Sequence, residues 1–189
     1  MEKSYNLSKM KEYEEPTDKL KRIYQKVVKN FPEIEKDDIR IEFERVPHDI
    51  GIAMIDYERY EAKGEVIRDP TIYVGLYFFG FKEKEMEAAI AHELGHYMHY
   101  KNFSTDMLRR LIKWVIASNE MSYTNKRIQK WSLMDEIYAD EQALKAGYGK
   151  PLISSLKHVL QTYYKTLPQI GKKELNVRIE NLEKKVENI

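Results

Sequence analysis

Between positions 17 and 32, apolar residues recur every three or four positions, which is typical of the buried face of a helix. The apolar positions of this predicted helix are Leu20, Ile23, Val27 and Val28. Thr17 or Asp18 can cap its beginning, and Phe31-Pro32 ends it. The chain therefore opens its ordered part with one amphipathic helix, preceded by a polar leader, Met1–Pro16.

Three segments after this helix have the patterns of β-strands. From Ile39 to Phe43 apolar and charged residues alternate, which predicts a half-buried strand. Ile52–Tyr57 is predicted as a second strand, paired with the first as a hairpin across the turn residues Pro47–Gly51. Thr71–Phe79 is apolar on both faces and is predicted as a third strand.

From position 82 onward the periodicity is helical. Three strands followed by a run of helices predict an α+β fold, in which a small three-stranded sheet packs on a helical domain. A chain of 189 residues fits one domain, so residues 1–189 are read as a single unit. The predicted helices are Lys82–Lys101, Asp106–Ala117, one from Ser132 to just before Gly147 and Gly149, one opening at Pro151, and Lys172–Val186.

Composition and charge exclude several classes of function. Lys and Arg (32) nearly balance Asp and Glu (31), so the chain lacks the basic excess that nucleic-acid phosphates require of a partner. There is no cysteine, which excludes disulfides and cysteine-ligated metals. The apolar stretch Leu108–Ala117 contains three basic residues and is too short for a membrane span. We expect a soluble, cytoplasmic protein with no integral membrane segment and no nucleic-acid partner.

The segment His92-Glu93-Leu94-Gly95-His96 carries the candidate chemistry, and it lies inside the predicted helix Lys82–Lys101. Around the helix axis, His92, His96 and Glu93 fall at roughly 0°, 40° and 100°, so the three share one face. Two imidazoles one turn apart can bind a single zinc ion, while the glutamate reaches the water beside it. Leu94 points to the core, and Gly95 allows another element to approach closely.

A catalytic zinc needs a third protein ligand from elsewhere. Asn102 occupies the position at which metzincins carry a third histidine, and His99 lies about 10 Å along the helix axis from His92. His48 and His158 have no motif around them. The remaining histidines therefore do not supply the ligand.

A downstream helix offers carboxylates instead. Glu136 and Asp140 are one turn apart on one face, and Ala139 leaves room for close helix packing. This spacing suits a ligand carboxylate together with an acid that orients a histidine. By itself the stretch also fits a solvated acidic face, but the need for a third ligand favours Glu136.

These motifs resemble those of the gluzincin metallopeptidases, in particular the minigluzincins and the catalytic domain of the CAAX-prenyl-protease and heat-shock membrane metalloprotease family. The resemblance rests on Glu85–His96 and on the string Glu136, Ala139, Asp140. Softer similarities are Gly147-Tyr148 and the closing helix with Arg178-Ile179 and Leu182, so it spans roughly positions 71–182. Unlike the membrane proteases, this chain has no transmembrane pair around the site.

The resemblance implies one zinc per chain, held by His92, His96 and Glu136, with Glu93 as general base and acid and Asp140 orienting a histidine. It implies an endopeptidase acting on a protein or peptide substrate. It further implies that Thr71–Phe79 lines the cleft and pairs with extended substrate, although two-sided apolarity also fits a buried strand.

Two other functions fit the same motif. A latent or inactive peptidase-like scaffold would bind zinc and act through protein interactions without turnover. The HExxH peptidases that cleave repressors in bacterial stress responses are a further alternative, but they generally have a DNA-linked partner or domain, for which the sequence shows no sign. Tyr138, His99 and Arg178 are candidates to stabilise the oxyanion, each with an ordinary structural role as the alternative.

Overall fold

The computed structural model describes residues 15–43, 53–60, 66–102 and 126–188. Within these ranges a small sheet precedes a larger set of helices, which confirms the α+β prediction. The elements are α1 (Pro16–Val28), β1 (Arg40–Phe43), β2 (Ala53–Tyr60), β3 (Val66–Val74), a 3₁₀ helix (Leu76–Gly80), α2 (Glu83–Asn102), α3 (Lys126–Ala143), a π-helical turn (Leu144–Tyr148), α4 (Gly149–Thr162) and α5 (Gln169–Val186).

Helix α1 forms as its periodicity predicts. Its four apolar stripe residues are all buried, and the acidic Asp18 lies in the first turn, where it interacts favourably with the helix dipole. The cap prediction was wrong by two or three positions. Glu15 is the N-cap residue and Pro16 opens the helix, because a proline at the first helical position loses no hydrogen bond.

The sheet has the order β1-β3-β2, with β1 parallel and β2 antiparallel to β3. The predicted hairpin of the first two strands is therefore wrong, since β3 lies between them. Thr71, Ile72 and Val74 are buried at 2%, 0% and 0% exposure. A strand that is apolar on both faces belongs in the centre of a sheet, whereas alternating patterns identify a buried face without naming the neighbouring strand.

The bounds of the third strand were also predicted wrongly. β3 begins at Val66 and ends at Val74, and Leu76–Gly80 forms a 3₁₀ helix instead of continuing the strand. Pro70 argues against a strand in this part of the sequence, because proline is rare inside sheets. A shift of register opposite Asp56–Glu58 places one extra residue on β3 at this point, and such a bulge tolerates a proline that cannot donate a hydrogen bond.

Helix α2 is the centre of the molecule. It packs against α1, α3, α4 and β2, and its buried residues lie all around the axis and not on one stripe. Among them are charged side chains that need partners. Glu87 is fully buried and accepts hydrogen bonds from Lys26 at 2.6 Å and Lys84 at 2.9 Å.

Gly95 is the point at which α2 and α3 approach each other most tightly. A Cβ atom at this position would lie 2.6 Å from the carbonyl oxygen of Ala139 and 2.8 Å from its Cα. Only glycine fits at that distance, and Ala139 is itself fully buried. The contact confirms the predicted roles of both small residues and fixes the offset between the two helices.

Helix α3 begins at Lys126, six residues before the predicted start, and its end agrees with the sequence. Gly147 has φ of 90°, a left-handed conformation that glycine adopts without strain and that ends the helical run.

The predicted helix Asp106–Ala117 and most of the leader Met1–Pro16 lie outside the described residues. In the ranges that the structure does describe, no helix has the length and apolar character needed to cross a membrane.

Candidate metal centre

The structure brings the three predicted ligands together. Helix α2 presents His92 and His96 toward α3, and α3 presents Glu136 toward them. The two Nε2 atoms are 3.0 Å apart, Glu136 Oε2 lies 3.3 Å from His92 Nε2, and Glu136 Oε1 lies 3.6 Å from His96 Nε2. Four-coordinate zinc with bonds of about 2.0–2.2 Å separates neighbouring ligand atoms by roughly 3.3–3.5 Å. The three side chains therefore fit a zinc ion with little rearrangement.

Each histidine has a carboxylate behind it. His92 Nδ1 lies 2.8 Å from Asp140 Oδ1, and His96 Nδ1 lies 3.0 Å from Asp135 Oδ2. When Nδ1 donates its proton to a carboxylate, the lone pair of Nε2 is left for a metal. In the neutral form of each ring, this contact therefore favours the proton on Nδ1 and leaves Nε2 facing Glu136.

The sequence predicted Asp140 in this role but missed Asp135. Asp135 also bonds to His99, which stacks on the ring of Tyr138 with centroids 4.2 Å apart. The only sequence signal is that Asp135 precedes Glu136 directly. On an isolated helix the two side chains point about 100° apart, so periodicity alone separates Asp135 from the ligand face.

Arg178, from α5, closes the site from the third side. Its NH1 lies 2.5 Å from Glu136 Oε2, and its Nε and NH2 donate to the two oxygens of Asp140 at 2.8 and 2.7 Å. The guanidinium is 11% exposed and also lies 3.4 Å from His92 Nδ1. Arg178 is thus an ion-paired residue that holds two carboxylates in place, the structural alternative considered for it.

The charges around these carboxylates keep them ionised. Burial tends to raise the pKa of Glu136, but the charge of Arg178 and the hydrogen bonds from His92 and His96 outweigh it and hold that pKa well below its usual range. Burial also opposes ionisation of Asp140, and hydrogen bonding to His92 with the charge of Arg178 lowers its pKa in the same way. Both side chains are therefore anionic at neutral pH.

Glu93 differs from Glu136 and Asp140 in its partners and in the direction of its pKa shift. It is 8% exposed and has no hydrogen bond or ion pair to any residue that the structure describes. Burial, together with the nearby charge of Glu136, raises its pKa, while the two histidines oppose that rise. Buried polar groups almost always have partners, so a buried carboxylate without one is typical of a group that acts on a ligand.

No protein-family model matches the chain, and no curated protein or solved structure shows a significant match to it. The resemblance to gluzincins therefore stays a prediction. The functional argument depends on the geometry of the site.

Proposed function

We propose that this protein is a zinc-dependent endopeptidase of the gluzincin type, with one zinc per chain bound by His92, His96 and Glu136. The observation that carries the proposal is that Glu93 is buried, has no hydrogen-bond or ion-pair partner among the described residues, and lies on the same helical face as two converging imidazoles. Two histidines and a glutamate form the ligand set of known zinc peptidases and leave a fourth position open. The absence of cysteine agrees with a catalytic and not a structural zinc site.

Individual residues of the chain would have separate roles in peptide hydrolysis. A zinc ion at this site would polarise the scissile carbonyl and lower the pKa of a coordinated water. Glu93 would accept a proton from the attacking water and deliver it to the leaving amine. Arg178, committed to Glu136 and Asp140, would keep the ligand carboxylate in position. Hydrolysis by this route needs no nucleophilic serine or cysteine.

The location of an extended substrate must be revised. The predicted strand Thr71–Phe79 is excluded as the pairing edge, because residues 71–74 of β3 already pair with β1 and β2. The outer edge of β2 has no strand partner within the described ranges, and β2 is the strand that packs most extensively against α2. We therefore assign an extended peptide substrate to the β2 edge, where main-chain hydrogen bonds can hold it.

Replacing Glu93 by glutamine tests the proposal directly. Glu93→Gln keeps the size of the side chain but cannot accept a proton, so zinc content should stay at one per chain while turnover falls by about 10²–10⁴-fold. The measurement pairs elemental analysis with cleavage of a denatured protein substrate, with and without chelator.

Glu83→Gln is the matched control. Glu83 lies on the same helix, is 43% exposed and, among the described residues, forms its ion pair with Arg22, so this variant should retain both zinc and activity. Equal turnover in wild type and Glu93→Gln would reject the mechanism. Zinc binding with no turnover in any protein would favour the inactive scaffold instead.

A further inference from the structure

The carboxylate of Asp135 is shared between two histidines of α2. Its Oδ2 lies 3.0 Å from Nδ1 of His96, and its Oδ1 bonds to Nδ1 of His99, three residues further along the helix. An ionised carboxylate can only accept hydrogen bonds, so each Nδ1 donates a proton to a different oxygen. Two side chains of one helix therefore fix both oxygens of Asp135.

The ring of His99 is also held on its face. It stacks on the ring of Tyr138, with centroids 4.2 Å apart and an angle of 22° between the two planes. Tyr138 lies three residues after Asp135 on α3. His99 thus contacts two successive turns of α3, one through a hydrogen bond and one through stacking, and these contacts set its ring relative to Asp135.

The aspartate behind the other candidate ligand has an equivalent basic partner. Asp140 is fully buried and accepts hydrogen bonds from Nε and NH2 of Arg178 at 2.8 and 2.7 Å. Asp135 is 45% exposed, so packing restricts its carboxylate less, and ordering it costs conformational entropy. Its orientation therefore depends on the hydrogen bonds that it accepts, and His99 donates one of them.

We propose that His99 is a positioning residue of the zinc site, which acts through Asp135 on the ring of His96. The hydrogen bond from His99 holds the carboxylate where it accepts the proton of His96 Nδ1, and Nε2 of His96 then faces Glu136. This inference rests on the zinc site of the proposed function and adds to it a histidine that is not a ligand. Residues that orient a ligand typically change metal affinity by about 10- to 100-fold, and we expect about 10-fold for His99 because it acts through a second side chain.

Three substitutions of His99 separate its hydrogen bond from its stacking. His99→Phe keeps an aromatic ring for Tyr138 but has no donor, and His99→Leu has neither. His99→Asn restores a donor without a ring, because its amide nitrogen and Nδ1 are both bonded to Cγ. Zinc affinity, measured by competition with a chelator, should fall about 10-fold in His99→Phe and His99→Leu and stay within about 3-fold of the wild type in His99→Asn. His99 is 23% exposed, so all three variants should fold, which melting curves in chelator check.

Combination with Asp135→Ala tests whether His99 acts through Asp135. If it does, the double variant with His99→Phe should bind zinc as weakly as Asp135→Ala alone. A further loss of about 10-fold in the double variant would show that the two side chains act independently and would overturn the inference.

His158 provides the matched control, since it is a histidine with the same two kinds of neighbour. Its Nδ1 lies 3.9 Å from Glu85 Oε2, and its ring centroid lies 4.5 Å from that of Phe81. Neither neighbour is a candidate ligand, so His158→Phe should leave zinc affinity unchanged.

The pattern of affinities distinguishes failure of this inference from failure of the peptidase proposal. Wild-type affinity in His99→Phe and His99→Leu, or a loss in His99→Asn as large as theirs, would overturn the inference while the peptidase proposal stands. If the wild type binds zinc but cleaves nothing, and the variants keep the expected order of affinity, His99 retains its role and only the peptidase function fails. A wild type that binds no zinc would overturn both proposals.

Discussion

At the scale of single residues, each candidate ligand histidine uses its two ring nitrogens for different tasks. Nδ1 of His92 and of His96 faces an aspartate, and Nε2 of each faces Glu136. Glu136 completes the set from the facing helix, and its charge is balanced by Arg178. Contacts between side chains of three helices therefore hold the site together.

Removal of any one ligand should abolish zinc binding, because two remaining side chains hold zinc poorly. We expect about one zinc per chain in the wild type and none in His92→Ala, His96→Ala or Glu136→Ala, measured by elemental analysis after dialysis. Glu141→Ala is the control, since Glu141 pairs with Lys185 away from the ligands and should be dispensable. Full zinc content in a ligand variant, or its loss in Glu141→Ala, would show that the assignment is wrong.

The two orienting aspartates should differ in their effects. Asp135→Ala and Asp140→Ala should each weaken zinc affinity by about 10–100-fold, measured by competition with a chelator. Asp140 is fully buried against Arg178, so its loss should also lower the melting temperature, because a buried guanidinium is left with fewer partners. Asp135 is 45% exposed, so with zinc bound its loss should lower the melting temperature less than the loss of Asp140 does. Unchanged zinc affinity in both variants would contradict the proposed roles.

At the scale of elements, the contact between α2 and α3 sets the distance across which the ligands meet. Both helices have a small residue where they cross, Gly95 on α2 and Ala139 on α3. His96 follows Gly95 directly, and Glu136 lies one turn before Ala139. Any change that separates the backbones at this crossing must also move Glu136 away from the histidines.

Gly95→Ala should therefore destabilise the protein, although alanine normally favours a helix by about 1 kcal/mol over glycine. Its Cβ would lie 2.6 Å from the Ala139 carbonyl oxygen, and overpacking of this kind typically costs about 1–3 kcal/mol. Zinc affinity should fall as well. Gly171→Ala on α5 is the matched control, since its Cβ would meet nothing closer than 3.7 Å and should be neutral or stabilising. Urea unfolding and zinc competition measure both effects, and equal stability of the two variants would refute the packing argument.

At the scale of the whole molecule, the site joins helices that are far apart in sequence. Residues 92–96, 135–140 and 178 come from α2, α3 and α5, and each pair of these segments interacts directly. Within the site, the histidines and carboxylates lie at hydrogen-bonding or ion-pairing distance from one another. Asp135 and Glu136 overcome the effect of burial and raise the pKa of His96 to about 10.

This coupling predicts how the stability of the metal-free protein depends on pH. In the folded protein the pKa of His96 lies above its ordinary value near 6.5. Protonated His96 therefore contributes its full stabilisation of the fold below about pH 6.5, and this stabilisation is lost as the pH rises toward 10. In chelator, the melting temperature should fall between pH 7 and 9.5, and Asp135→Ala should reduce that fall. With zinc the fall should disappear, because the metal binds the deprotonated ring. A melting temperature in chelator that rises over this range would contradict the prediction.

The lowered pKa values of Glu136 and Asp140 affect the stability of the protein at acidic pH. Each contributes stability above its ordinary pKa, near 4, and this stability is lost as the pH falls further. Burial raises the pKa of Tyr24 and of Tyr97 to about 12, so these tyrosines lower the stability of the folded protein only above pH 10. The interval from pH 7 to 9.5 therefore lies outside the ranges in which these two carboxylates and two tyrosines change the stability.

The sequence by itself determined everything that depends on spacing within one element. His92, Glu93 and His96 share a face because a helix repeats every 3.6 residues, and Glu136 with Asp140 follows the same rule. The small residues Gly95 and Ala139 were recognisable for the same local reason. Alternation likewise identified the first strand, and the three strands followed by helical periodicity from position 82 identified the α+β class.

Only the tertiary structure decided which elements are neighbours and at what offset they meet. The place of β3 between β1 and β2, the contact of Asp135 with His96, and the ion pairs of Arg178 with Glu136 and Asp140 all depend on pairs of segments distant along the chain. Periodicity fixes the face that a side chain occupies but not its partner on another element. That partner is set by how closely the backbones can pack, here at Gly95 against Ala139.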